Sequence, residues 1–217
     1  MTVISVLCPT RERPVALEAT TVGLLELAAD PHEIEILVAA DPDDRSPLSL
    51  PWQASVWTAP ERYGYAHLEE YYNHLAGMAK GDWLFVWNDD ATMETPGWDA
   101  IVRGQAPAML WAKPCNPEAE PWMPSEFPVI PAAWYRHWGH LSLHHSVDMW
   151  LGRVGLATGT GVHIPVTIDH CVAYERSTAG YPSFHTTLME QERERDATRL
   201  RQLLDAERGA YDMAPGQ

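Results

Sequence analysis

Two adjacent carboxylates stand out because of what precedes them. Residues 83–87, Trp-Leu-Phe-Val-Trp, form a continuous apolar run of strand length, the pattern of a strand buried on both faces, and the run ends abruptly in Asn88, Asp89 and Asp90. Like charges a few ångströms apart repel strongly where water is excluded, so acids at the end of such a strand need a neutralising partner. A divalent cation supplies one. Mg²⁺ or Mn²⁺ takes a few hard oxygen ligands and leaves positions for phosphate oxygens. The plainer alternative is an exposed acidic turn, or a helix cap ahead of Thr92. Arg11, Arg13, Arg45 and Arg62 fall near the same loops, partly offset by the acids of 41–44 and 118–120. For Arg13 the expectation is an ordinary surface residue.

The elements that must position these groups alternate between strand and helix. Residues 3–7 form a short apolar run that leads into Cys8-Pro9-Thr10-Arg11-Glu12-Arg13-Pro14. Pro14 suits the first turn of a helix, where its missing N–H would lack a partner anyway. That helix runs to about Ala29, with Leu17, Leu24, Leu25 and Ala28 near one face. Residues 34–39 form a second strand and lead into Asp41-Pro42-Asp43-Asp44, a turn by composition. Val56 and Trp57 mark a brief third strand; Leu68, Tyr71, Leu75 and Met78 recur at helical spacing, with Gly81 placed to cap. This alternation implies an α/β fold with a mainly parallel open sheet flanked by helices, in which ligands sit at the carboxyl ends of strands.

Farther on, residues 109–112 form a strand, 114–128 a proline-rich loop long enough to suggest a functional wall, and 131–138 a short helix. A second helix over 144–154 carries Asp148, and Ile164, Val166 and Ile168 alternate as a strand ending at Asp169 and His170. Thr187 and Glu190 form a capping box for a last helix with Leu188, Leu200, Leu203 and Leu204 on its apolar stripe.

The bulk composition sets limits. A length of 217 residues suits a single domain, and 46% hydrophobic with 21% charged residues is a globular balance. The net charge of −15 gives polyanions no general electrostatic help, so any nucleic-acid binding would need a local arginine patch. Cys8, Cys115 and Cys171 are too few and too scattered for a disulfide framework or a paired-cysteine zinc site, and are expected to be reduced and structural. No stretch approaches the roughly 18 to 20 apolar residues of a membrane span, and a strand pattern begins at Thr2. A cytoplasmic location, no membrane contact and no obligate protein partner are expected.

Taken in order, Pro9-Thr10-Arg11, the acidic turn at Asp41, the helix containing Asn73, Lys80-Gly81-Asp82-Trp83 and Val86-Trp87-Asn88-Asp89-Asp90 resemble the nucleotide-binding half of glycosyltransferase family 2. That resemblance spans roughly the first hundred residues and implies a single GT-A domain. Residues 1–112 would bind the nucleotide sugar, 113–185 would hold the acceptor and catalytic half, and 186–217 would form a C-terminal helix and tail.

By the same resemblance Asp90 would hold a Mn²⁺ or Mg²⁺ ion on the donor diphosphate, and Asp89 would support it or contact the sugar. Thr10, Arg11 and Asp41 would meet the nucleoside, with Asn73 reaching it from its helix, and the donor would be a UDP-sugar. Asn88 stands where the family usually has its first acid, and Ala40-Asp41 where it more often has two. His170 would complete the metal shell, with His163 and His185 as weaker competitors. Asp148 would be the base of an inverting transfer, although Val147 precedes it and Arg153 follows five residues later, a departure from the family's acid pair and basic residue. His144 and His145 would be ligands only if Asp148 joined them in a zinc site. The chemistry agrees with these roles: the departing diphosphate must be neutralised, which a metal with one or two arginines, Arg11 and Arg13 being the candidates, could do, and the incoming hydroxyl must lose its proton.

Small members of this layout include phage-type enzymes that glycosylate hydroxymethylated DNA bases and others that decorate glycans, so the resemblance implies a hydroxyl acceptor that would be a glycan or small molecule, with a hydroxymethylated DNA base as the minority alternative. Trp122 and Trp134 flank the proline-rich loop and are candidates to stack on a base or sugar, against the default of packing. Two other functions compete. A nucleotidyltransferase would share the core but carry a glycine-rich basic loop after its first strand, where this chain has residues 9–14 with no glycine. A catalytically inactive sugar-nucleotide or glycan-binding module would bind without turnover.

Overall fold

Residues 3–46, 48–113, 124–170 and 187–212 are described in the computed structural model, the backbone alone being described for 187–189 and 207–212. In chain order the elements are β1 (Ile4–Thr10), α1 (Pro14–Glu26), β2 (Ile34–Ala40), β3 (Ala54–Thr58), α2 (Leu68–Met78), β4 (Trp83–Val86) and β5 (Thr92–Met93). There follow α3 (Trp98–Arg103), β6 (Met109–Lys113), β7 (Pro128–Pro131), α4 (Ala132–Trp138), α5 (Val147–Thr158), β8 (Gly161–Asp169) and α6 (Thr187–Asp212).

The strands form one eight-stranded sheet in the order β3-β2-β1-β4-β7-β6-β8-β5. β3, β2, β1 and β4 run parallel, as do β6 and β8; β7 is antiparallel to both its neighbours and β5 to β8. Both faces are covered. In β1, Ile4, Val6 and Cys8 pack with Leu17 and Leu24 of α1 and Trp98 of α3, whereas Leu7 faces the layer of α2, α4, α5 and α6. Full burial on both sides explains the unbroken apolar run of β4, while the polar exceptions in β1 and β2, Ser5 and Glu35, satisfy each other through a 2.7 Å hydrogen bond from Ser5 Oγ to Glu35 Oε2. Each large side chain so buried contributes roughly 1.5–3 kcal/mol of transfer free energy. The mainly parallel α/β sheet of a single domain is therefore present, with two reversed strands.

Several boundaries differ from expectation for identifiable reasons. α1 stops at Glu26, with Leu27 closing it through a bond from its N–H to Gly23 O. α5 starts at Val147, because Ser142 Oγ accepts from His144 N and His144 Nδ1 accepts from Ser146 N, which ties the preceding residues into a turn. Gly81 does not cap α2, which ends at Met78 with Ala79 as its cap. It lies instead where β4 begins against β1, and a Cβ there would stand 2.6 Å from Ser5 Oγ and 2.8 Å from both Ser5 N and Val3 O. Only glycine permits that approach.

β7 was hidden by its prolines. Pro128 and Pro131 read as the end of a loop and the start of a helix, yet Val129 and Ile130 pair with Phe85 and Leu84 of β4, and the prolines fall at the strand's ends. Cys8 is buried, as expected of a structural thiol, while Cys115, Cys171 and Trp122 lie outside the described residues. The Thr187 side chain of the expected capping box is likewise not described. Among the described residues no helix is long and apolar enough to cross a membrane.

Candidate active site

The carboxyl ends of β1, β2 and β4 open into one cleft of about 380 Å³, within the range of small-molecule sites. Thr10 and Arg11 enter from β1, Asp41 from β2, and Asn88, Asp89 and Asp90 from the turn after β4. A fourth wall comes from the other side of the sheet. After the turn, β5 pairs antiparallel with the end of β8, setting Thr92 opposite Asp169 and Met93 opposite Ile168. That pairing delivers the next residue of the β8 side, His170, to Asp90, with Nε2 3.1 Å from Oδ1.

The four groups around the turn balance one another. Asp89 is only 7% exposed; its Oδ2 accepts from Thr10 Oγ1 at 2.7 Å and its Oδ1 from Arg13 Nη1 at 3.2 Å. Burial nonetheless pushes the Asp89 carboxyl above its ordinary range, with Thr10 and Arg13 opposing. Asp90 goes the other way. The hydrogen bond with His170 holds its pKa down against its burial, assisted by the charge of Arg13, whose Nη1 lies 2.6 Å from Asp90 Oδ2. His170 is raised to about 9 by Asp90 and then by Glu126, whose Oε2 lies 3.2 Å from Nδ1. The ring is thus held between two carboxylates and against Phe127.

The opposite wall is organised around Asp41. Its Oδ2 accepts from Arg11 Nη1 at 2.5 Å and its Oδ1 from the Tyr71 hydroxyl. Arg11 also reaches Asp43, and the Tyr71 oxygen accepts from the N–H groups of Tyr63 and Gly64. Burial, then Asp41, raises the Tyr71 hydroxyl to about 12, so it stays a donor. Tyr65, 57% exposed, adds an aromatic face to the rim.

Between the walls, Glu12 has φ of 54°, a left-handed conformation uncommon for a residue with a side chain, and its N–H donates to Asp44 Oδ2 at 2.8 Å. This kink separates the two arginines. Arg11 turns to Asp41 while Arg13 turns to Asp89 and Asp90.

Asn73 and Asp148 lie apart from the cleft's lining. The Asn73 side chain is committed to the loop before α5: its Nδ2 donates to Ser142 O at 2.8 Å and its Oδ1 accepts from Leu141 N at 2.7 Å. Asp148 sits in the first turn of α5, half-buried, where burial raises its carboxyl to about 6 and the charge of Glu126 adds to the shift. Its charge is also felt by His170 and by Tyr72, both of which line the cleft.

Thr10, Arg11, Asp41, Asp89, Asp90 and His170 therefore meet in one cleft, Asp148 stands behind it and Asn73 serves the scaffold. Trp134 is 1% exposed in the core and offers no face to a sugar or base. His144 packs against His145 with the two rings tilted by 37°, and burial lowers it to about 4. Sequence reading missed Glu126 and did not foresee that Arg13 bridges Asp89 and Asp90. Arg13 was expected to be an ordinary surface residue, and its partners lie 76 and 77 residues away. No local pattern signals either.

Asp90 and His170 suit a divalent ion. Adjacent ligands of an octahedral ion with bonds of about 2.1 Å stand roughly 3 Å apart, which is the separation of their facing atoms, 3.1 Å. Among the described residues no group of three or more His, Cys, Asp and Glu converges on one point, so remaining positions would fall to ligand oxygens and water.

No family model and no curated protein matches the sequence. Solved structures do match in shape. S. aureus TarS 1–349 in complex with UDP superposes with a TM-score of 0.55 at 13% identity, over 72% of this chain and 55% of that one. The mannosyltransferase PcManGT from Pyrobaculum calidifontis, in complex with GDP-Man and Mn²⁺, gives 0.54 at 13% identity over 75% and 54%. The fold is GT-A. The chain spans about half the length of the structures it matches. Within the GT-A sheet, the cleft described above lies at the carboxyl ends of the first parallel strands, where open α/β sheets receive ligands.

Proposed function

We propose that the chain is a metal-dependent glycosyltransferase that moves a sugar from a nucleoside-diphosphate donor to a hydroxyl acceptor with inversion. The observation that carries this reading is the convergence of Asp90 and His170 at one end of a cleft whose other wall is the Arg11–Asp41–Tyr71 cluster, on a GT-A sheet. Asp90 and His170 would hold Mn²⁺ or Mg²⁺, which when bound would neutralise charge on the departing diphosphate. Thr10, Arg11 and Asp41 would receive the nucleoside, and Asp89, fixed by Thr10, would shape the sugar end. The donor nucleotide is read as uridine diphosphate on the family resemblance; the similar structures hold UDP in TarS and GDP-Man in PcManGT at the same identity.

Asp148 is the base in this reading. A carboxyl raised to about 6 by burial is a better proton acceptor than an ordinary aspartate while still ionised at neutral pH. It would take the proton from the acceptor hydroxyl as that oxygen bonds to the sugar's anomeric carbon and the diphosphate departs. The acceptor is assigned as a hydroxyl-bearing molecule; burial of Trp134 removes one of the two aromatic residues considered for stacking on a DNA base. The test is incubation with a panel of nucleotide sugars and Mn²⁺, reading free nucleoside diphosphate by mass. Release from at least one donor is expected, suppressed by chelator. Silence across the panel, or release undiminished by chelation, rejects the assignment.

A further inference from the structure

Arg13 occupies the mouth of the acid pair. Its Nη1 bridges Asp90 Oδ2 at 2.6 Å and Asp89 Oδ1 at 3.2 Å, and among the described residues no other Lys or Arg forms a salt bridge with either acid. Its side chain is 50% exposed, so it can leave without disturbing the core. Its backbone, in contrast, is fixed between the left-handed Glu12, tied to Asp44, and Pro14 at the start of α1. Arg11 shows the opposite arrangement, being tied to Asp41 and Asp43 on the far wall.

Arg13 holds Asp90 Oδ2 while Oδ1 faces His170, so a guanidinium and a metal ion would have to share one carboxylate, which cannot serve both at full strength. A divalent ion approaching Asp90 meets a positive charge already seated there, and like charges at that distance oppose binding. A diphosphate arriving in the cleft offers the guanidinium an alternative. Phosphate oxygens match its planar fork and accept two parallel hydrogen bonds, as a carboxylate does.

We propose that Arg13 is an exchangeable counter-ion: without donor it neutralises Asp89 and Asp90, and when donor binds it passes to the diphosphate and leaves the acids to the metal. This rests on the nucleotide-sugar reading and adds to it a residue that couples two ligands. Each ligand removes an obstacle to the other, so Mn²⁺ and nucleoside diphosphate bind with positive coupling beyond their direct contact, and the coupling is reciprocal.

The test uses the full chain, with Mn²⁺ and UDP as probes, and follows free Mn²⁺ by its paramagnetic resonance signal with and without UDP. Arg13→Gln should bind Mn²⁺ alone about 3- to 10-fold more tightly than wild type, having lost the competing charge. With Mn²⁺ saturating, it should bind UDP roughly 10-fold more weakly, the scale of one lost hydrogen bond to a charged group. The coupling factor between the ligands should shrink accordingly. Arg13→Lys, which keeps the charge without the fork, should fall between the two. Mn²⁺ affinity in Arg13→Gln that is unchanged or weaker, or a coupling factor equal to wild type, overturns the exchange while leaving the nucleotide-sugar reading in place. A wild type that binds no UDP at saturating Mn²⁺ overturns both.

Discussion

The turn after β4 and the first turn of α5 each carry an aspartate that feels the charge of His170, and their surroundings drive the two carboxyls in opposite directions. Asp90 is held low by its hydrogen bond to His170 and by Arg13; Asp148, set into α5, is raised to about 6 by burial. One residue type thus supplies two kinds of chemistry. A carboxylate that stays ionised across the working range can hold a cation, whereas one poised near neutrality can accept and release a proton. The difference comes from neighbours: Asp90 has basic groups within hydrogen-bond reach, while the charge of Glu126 adds to the burial of Asp148.

The harshest way to break this contrast is at Asp90. Asp90→Asn should lower donor turnover by roughly 10³-fold, the upper scale for losing one group that stabilises developing charge, and excess chelator should do the same to the wild type. Release of nucleoside diphosphate measures both. A variant within tenfold of wild type would detach Asp90 from the chemistry.

Asp148→Asn should be milder and of another kind. Turnover should fall by roughly 10²-fold with donor affinity unchanged, because a base acts on the incoming hydroxyl and not on the bound nucleotide. Its pH behaviour sharpens the point. Since the folded pKa is raised above the ordinary aspartate value, the native state binds the extra proton between pH 4 and 6, and stability falls as pH rises through that window. The wild type should therefore gain activity on an acid limb near pH 6 while losing stability across it. Asp148→Asn should lack the limb and melt higher at pH 7, an advantage that vanishes below about pH 4. Equal melting temperatures at pH 7 would count against burial as the cause.

The two halves of the site differed in how openly the sequence declared them. Asp89 and Asp90 could be found because a strand buried on both faces must be continuously apolar, so the change at Asn88 is abrupt. The helix start at Pro14 was legible for a similarly local reason. What stayed hidden depends on distant partners. His170 was named only through the family resemblance, because it reaches Asp90 through the two-residue strand β5, and Glu126 lies in a proline-rich stretch with no periodicity. Arg13 looks like any exposed arginine until the turn 76 residues later is folded against it.

Asn73 gives the smallest expected effect and a control. It was considered for the nucleoside on the family resemblance alone, but both ends of its amide hold residues 141 and 142. Asn73→Ala should cost about 1–3 kcal/mol of stability by leaving those backbone groups unpaired, while changing UDP affinity less than twofold. A large loss of UDP binding in a variant that melts like wild type would return Asn73 to the donor site.

The reversed strand β7 has a consequence for how the chain is made. β4 leaves the ribosome as four wholly buried residues, yet the strand that covers its free edge begins only roughly 40 residues later. At synthesis rates of about 5–20 residues per second, that edge waits ~2–8 s for its partner. During that interval Trp83 and Phe85 lie on a strand with one edge unpaired beside other nascent chains, the circumstance in which edge-to-edge aggregation begins. Slowing elongation between residues 86 and 128 should therefore lower the soluble yield of this protein more than slowing it after β7 has emerged.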